Sequence, residues 1–160
     1  MDYVPMTREA YDRKKVEIAR LENEVMPKIA EKIAEAREEG DLKENAEYHA
    51  QREEQGKLQA KINQEKGKLA RANIIDMSKI DRSTVSLGAT VVCNDLDLDD
   101  EETYTFVGAG DEDYMNDRYL ITSPVGLALA GHIVGDTVEV EIPTGMLKLK
   151  ITEIRYEELD

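Results

Sequence analysis

The chain has one cysteine, no tryptophan and a single phenylalanine among its 160 residues. A lone thiol, Cys93, rules out an internal disulfide and any cysteine-cluster metal site, which suits a reducing cytoplasm. It lies in the apolar run "ATVVC", residues 89–93, where a thiol behaves as a small buried hydrophobe. No apolar run approaches the ~20 residues of a membrane span, and the N-terminus lacks the basic-then-apolar pattern of a secretion signal. There is no Gly-rich phosphate loop and no nucleophile-triad signature. The chain offers no self-contained active site, so it is not expected to be an enzyme.

Basic residues are scarce only in the second half. Residues 1–75 hold 15 Lys and Arg against 16 Asp and Glu, whereas residues 76–160 hold 6 against 19. This change of charge along the chain points to two domains, and we place the boundary at 76/77. The acidic half would repel free nucleic acid, so its expected partner is a basic or mixed protein surface.

What the chain has in quantity is helical periodicity. Apolar residues recur at Tyr11, Ile18, Leu21, Val25, Ile29 and Ile33, at gaps of three and four along much of the run, which marks one seam of a helix. Pro27 inside that run predicts a kink or a restart. Gly40 suits a helix stop and Asp41 a new N-cap, and Leu58, Ile62, Leu69 and Ala72 continue a second seam. Two long helices joined by so short a turn must fold back antiparallel, into a rod of roughly 50 Å.

Beyond an aperiodic linker at residues 76–88 come short β-like runs: "ATVVC", "ETYTFV", "RYLIT", "DTVEVEI" and "MLKLKITEI". Pro143 and Gly145 suit positions i+1 and i+3 of a type I turn between the last two. Ser123, Pro124 and Gly131 read as the N-cap, first residue and stop of one short helix. The fold class is therefore α+β: an antiparallel α-helical coiled-coil hairpin over residues 1–76, then a small antiparallel β domain with one helix over 77–160.

Chemistry concentrates at the hairpin tip, "GDLKEN". Asp41 and Glu44 are three apart, and paired carboxylates suit a Mg²⁺ ion whose other ligands come from a phosphate or a second protein. The same D-x-x-E spacing is also a capping box, and spacing alone favours that reading. Arg37 and Arg52 flank the tip, placed either to contact RNA phosphates or to pair with Glu38 and Glu53. The run "DLDLDD" from Asp95 fails as a calcium loop, because Asp100 and Phe106 stand where Gly and Glu are required.

At the tip the sequence also resembles a known family. Residues 33–56, "IAEAREEGDLKENAEYHAQREEQG", are similar to the signature of the bacterial Gre transcript cleavage factors. So are "VPMT" at residue 4, "LGATV" at residue 87 and "SPVGLALAGHIVGDTVEVEIPTG" at residue 123. The resemblance implies an FKBP-like second domain that docks on RNA polymerase, with Ser123 and Pro124 at the contact. It implies a hairpin that enters the secondary channel and meets the RNA 3′ end of a backtracked complex. Asp41 and Glu44 would then help hold a second Mg²⁺, jointly with polymerase and not tightly alone, while the polymerase itself cleaves the RNA. Arg37 and Arg52 would contact that RNA. A cytoplasmic monomer follows. His132 departs from the pattern, standing where relatives carry a basic residue, so docking near neutral pH is expected to be weaker if a cation matters there. Two alternatives remain: a Gre-like inhibitor of polymerase, against which Leu42 and Lys43 speak, or a non-catalytic coiled-coil adaptor or chaperone.

Overall fold

A computed structural model describes residues 3–41 and 45–157. Backbone contacts divide the chain into two units, residues 9–72 and residues 4–8 with 73 onward, so a short N-terminal segment joins the second unit.

The first unit is the hairpin. Helix α1, Arg8–Arg20, leads into a π-helical turn at Leu21–Val25 and continues as α2, Met26–Glu38. The π-turn is how the chain accommodates Pro27. Proline has no N–H to give the carbonyl four residues back, so the ladder shifts by one and the Met26 N–H bonds the Leu21 carbonyl. Pro27 then sits in the first turn of α2, where a missing donor costs little. Helix α3, Ala46–Ala70, returns alongside. Ile18 and Leu21 pack with Ile62 of α3 in a buried cluster, with Val25, Met26, Leu58 and Leu69 around it. Two ion pairs join α3 to the first arm, Lys14–Glu65 and Lys66–Glu22, each at 2.9 Å. Ala72, expected on the helical seam, instead opens a strand.

In the second unit, β1 (Val4–Met6) pairs with β2 (Ala72–Ile74), and Met6 is fully buried. The main sheet has five strands: β3 (Ala89–Asp95), β4 (Asp100–Val107), β5 (Arg118–Leu120), β6 (Thr137–Ile142) and β7 (Gly145–Tyr156). Their order is β5-β4-β3-β7-β6. Helix α4, Pro124–Leu129, lies between β5 and β6 in the chain. Alternate residues of each strand face one core, including Val91, Cys93, Phe106, Val140, Leu149 and Ile151, with Leu129 of α4. Three pairings are antiparallel, but β4 and β5 run parallel, with Phe106 opposite Tyr119. The expected wholly antiparallel sheet is thus corrected to a mixed one. The ten residues between β4 and β5 allow the crossover that a parallel pair requires.

The supposed linker is also partly core. Val85 and Leu87 are buried, and Val85 exchanges backbone bonds with Gly131 and His132. The β6–β7 turn is as expected, with Ile142 paired to Gly145 across Pro143 and Thr144. The acidic run forms the β3–β4 turn. Buried Asp95 anchors it by accepting from the amides of Asp97 and Leu98, so the run is a structured turn, not merely a solvated loop. Among the described residues, no helix is long and apolar enough to cross a membrane.

Candidate functional site

Helix α2 ends at Glu38, and Gly40 takes φ +117°, a conformation that L side chains disfavour, to turn the chain. Asp41 follows on the surface, outside either helix. Leu42, Lys43 and Glu44 lie outside the described residues, so Glu44 of the expected carboxylate pair is known here only as the residue before Asn45.

Asp41 is not the N-cap of α3, and the Asp41–Glu44 capping box itself lies outside the described residues. Helix α3 is capped by Asn45, whose Oδ1 accepts from the Tyr48 N–H at 3.0 Å. Its Nδ2 donates to the Ala36 carbonyl in the last turns of α2, at 2.6 Å. The orientation of the amide follows from its partners, since an N–H can only donate and a carbonyl only accept. Aspartate lacks the donor that a helix C-terminus needs. One asparagine therefore serves both helices, which neither Asp41 nor Glu44 could do.

Arg37, in the last turn of α2, lies over the Tyr48 ring at 5.8 Å from its centroid, within the range of a cation–π contact. Tyr48 meets the His49 ring edge-on. Arg52 is exposed on α3 and donates to the Gln55 amide at 3.1 Å. The expected pairing with Glu38 or Glu53 is not formed among the described residues. Glu53 and Glu54 pair with Lys57 instead, at 3.5 and 3.8 Å. Among the described residues, neither guanidinium is paired with a carboxylate.

Carboxylate oxygens suit Mg²⁺, but Asp41 alone is not a cage. Among the described residues no group of three His, Cys, Asp or Glu is placed to hold a metal. The donor set fits an ion that keeps its waters and takes further ligands from a partner.

A second candidate surface surrounds α4. Ser123 caps the helix, its Oγ accepting from the Gly126 N–H at 3.2 Å. Gly126 is required there, because a Cβ would collide with the Ile121 carbonyl. Pro124 is exposed, and Leu127, three residues on, is 66% exposed on the same helical face. Ile133 and Val134 are also exposed on the following loop. His132 Nδ1 lies 2.9 Å from Asp136 Oδ2. That bond, with one from the Ile133 N–H, holds the Asp136 carboxyl below its usual range.

Two family models match the chain: "Transcription elongation factor, N-terminal" over residues 4–74 and "Transcription elongation factor, GreA/GreB, C-term" over residues 80–156. The chain belongs to the GreA/GreB family. Transcription elongation factor GreA of Thermodesulfovibrio yellowstonii is 44% identical over 156 residues, 98% of this chain and 99% of its own. That of Trichlorobacter lovleyi is 42% identical over 154 residues, 96% and 98% of the two chains. A solved structure of GreA factor homolog 1 from Thermus thermophilus aligns at 22% identity and a TM-score of 0.47, over 96% of this chain and 99% of that one.

In this GreA/GreB family member the N-terminal match spans the hairpin and its tip, and the C-terminal match spans α4. Asn45 was missed in the sequence because Asp41 and Glu44 already satisfied a capping pattern. An asparagine directly before the periodic run was the available signal. Leu127, Ile133 and Val134 gave none, since exposure of an apolar residue is not readable from its identity.

Proposed function

We propose that this factor docks on RNA polymerase through the surface around Ser123 and Pro124. Its hairpin then enters the secondary channel, where it stimulates cleavage of the RNA 3′ end in backtracked complexes. The bond is cut by the polymerase's own active site, so the factor is not itself an enzyme. The observation that carries this reading is an exposed carboxylate, Asp41, at the end of an arm whose helical residues 8–38 span roughly 45 Å, with exposed Arg37 and Arg52 on the two helices that flank the tip. Asp41 and Glu44 would share a second Mg²⁺ with polymerase, and that ion would supply Lewis acidity and an oriented water. Arg37 and Arg52 bind phosphates of the extruded RNA. Pro124 and Leu127 offer the apolar part of the docking contact, and the factor works as a monomer in the cytoplasm.

The test is RNA cleavage in stalled complexes. Shortened RNA that elongates again supports the reading. Blocked synthesis without cleavage would make the protein an inhibitor, and no effect on either would leave an adaptor. Asp41→Asn should bind polymerase normally and lose most stimulation. Unchanged cleavage by that variant would remove Asp41 from the mechanism.

A further inference from the structure

The tip carboxylates act only if the chain that carries them is held in one place. Asp41 lies outside α2 and α3, so no helical hydrogen-bond ladder fixes its backbone. Asn45 ties the end of α2 to the start of α3, as the Arg37–Tyr48 contact also does. Its amide bonds the α2 carbonyl of Ala36 at 2.6 Å and the α3 amide of Tyr48 at 3.0 Å. One side chain therefore ties the last turns of α2 to the first turn of α3. Asp41 stands between these two tied points of the chain, outside both helices.

Resting on the function proposed above, we infer that Asn45 is a positioning residue for the tip carboxylate Asp41, and that its cross-helix bond to Ala36 does this work. Capping and clasping are separable. Serine and aspartate cap helices about as well as asparagine. A serine engaged with the Tyr48 N–H is too short to reach Ala36, and an aspartate turns an acceptor toward an acceptor. Either substitution keeps the start of α3 and opens the clasp. Loss of position by an ångström at a reacting centre can cost up to about a hundredfold in rate. The effect should fall on the cleavage step and on its Mg²⁺ requirement, because docking uses the other unit.

The experiment compares Asn45→Ser and Asn45→Asp with the unmutated full-length factor. Cleavage rate at saturating factor should fall by about tenfold or more. The factor concentration giving half-maximal effect should stay within about twofold, and the Mg²⁺ needed for half-maximal rate should rise. A purely structural role would not move the Mg²⁺ requirement in a folded, docked protein. Spin labels on Glu39→Cys and Glu47→Cys read the clasp without any activity. Both sites are exposed, and buried Cys93 escapes labelling. The distance distribution should be narrow with Asn45 and broad with serine. Unchanged cleavage in the serine variant, whether or not the distances broaden, overturns the inference. If the unmutated factor stimulates no cleavage, the functional reading fails and the positioning role with it. The distances then still judge the clasp itself.

Discussion

Stability and activity should part company at the tip. Asn45→Ala removes an N-cap, worth roughly 0.5–2 kcal/mol, and breaks the cross-helix bond to the Ala36 carbonyl, which keeps its bond from the Glu39 N–H, for about 0.5–1.5 more. Water reaches this half-buried site, so a total near 2 kcal/mol is expected, not the sum of the upper limits. For the hairpin of residues 9–72, that corresponds to a fall in melting midpoint of roughly 10 °C. Asp41 is not the cap of α3 and sits on the surface, so Asp41→Ala should cost about 0.5 kcal/mol, less than Asn45→Ala. Had Asp41 been the cap, the order would be reversed. Thermal melts followed by circular dichroism at helical wavelengths, repeated in urea, decide between the two. Cleavage assays run on the same preparations should find Asp41→Ala folded and inactive. The reasoning fails if Asp41→Ala lowers the midpoint as far as Asn45→Ala does, or if Asn45→Ala melts like the unmutated protein.

Two further outcomes follow from burial and charge. Burial pushes the Cys93 thiol up to about 11, with Glu102 adding to the shift, so thiol reagents at neutral pH should label it only as the second unit unfolds; rapid labelling of folded protein would contradict its placement in the core. Burial also works to raise the Glu65 carboxyl, but the hydrogen bond and charge of Lys14, with Lys68, outweigh it and hold the group below its ordinary 4.5. A depressed carboxylate contributes stability that is present above the unfolded value and lost as pH falls through the folded one. The loss therefore lies below about pH 4.5, and for a pair this close to solvent it amounts to under about 1 kcal/mol. Lys14→Met should flatten that part of the hairpin's stability profile in acid titrations, and an unchanged slope would show that the pair contributes nothing.

The hairpin was readable because its signal is repeated. Ile18, Leu21, Ile33 and Ile62 each fall on a seam that many neighbours also mark, so one ambiguous residue does not change the reading. The β unit was readable strand by strand, but not in its connections. Nothing in "RYLIT" says that it runs parallel to β4, since an alternating pattern fixes which face is buried and not the direction of its partner. Short segments fared worse. Val4–Met6 has three residues, too few for any period, yet it buries Met6 completely. Val85 and Leu87 alternate with a serine, and two apolar residues inside a polar stretch do not outweigh their surroundings. The composition break at 76 and the contact boundary near 72 are different quantities, because charge describes the surface and contacts describe the packing.

The tip shows a different kind of limit. "GDLKEN" offers two good caps, Asp41 and Asn45, four residues apart, and helix propensity scarcely separates them. Local rules ask only which residue can accept from the new helix. The difference lies at the other helix, whose Ala36 carbonyl accepts the Asn45 amide as well as the Glu39 N–H. Asparagine alone among the strong caps carries both an acceptor and an amide donor. With Asn45 as the cap of α3, Asp41 stands on the surface outside both helices. The structure gives the cap of α3 to Asn45, which is why neutralising Asp41 should cost the hairpin less than losing Asn45.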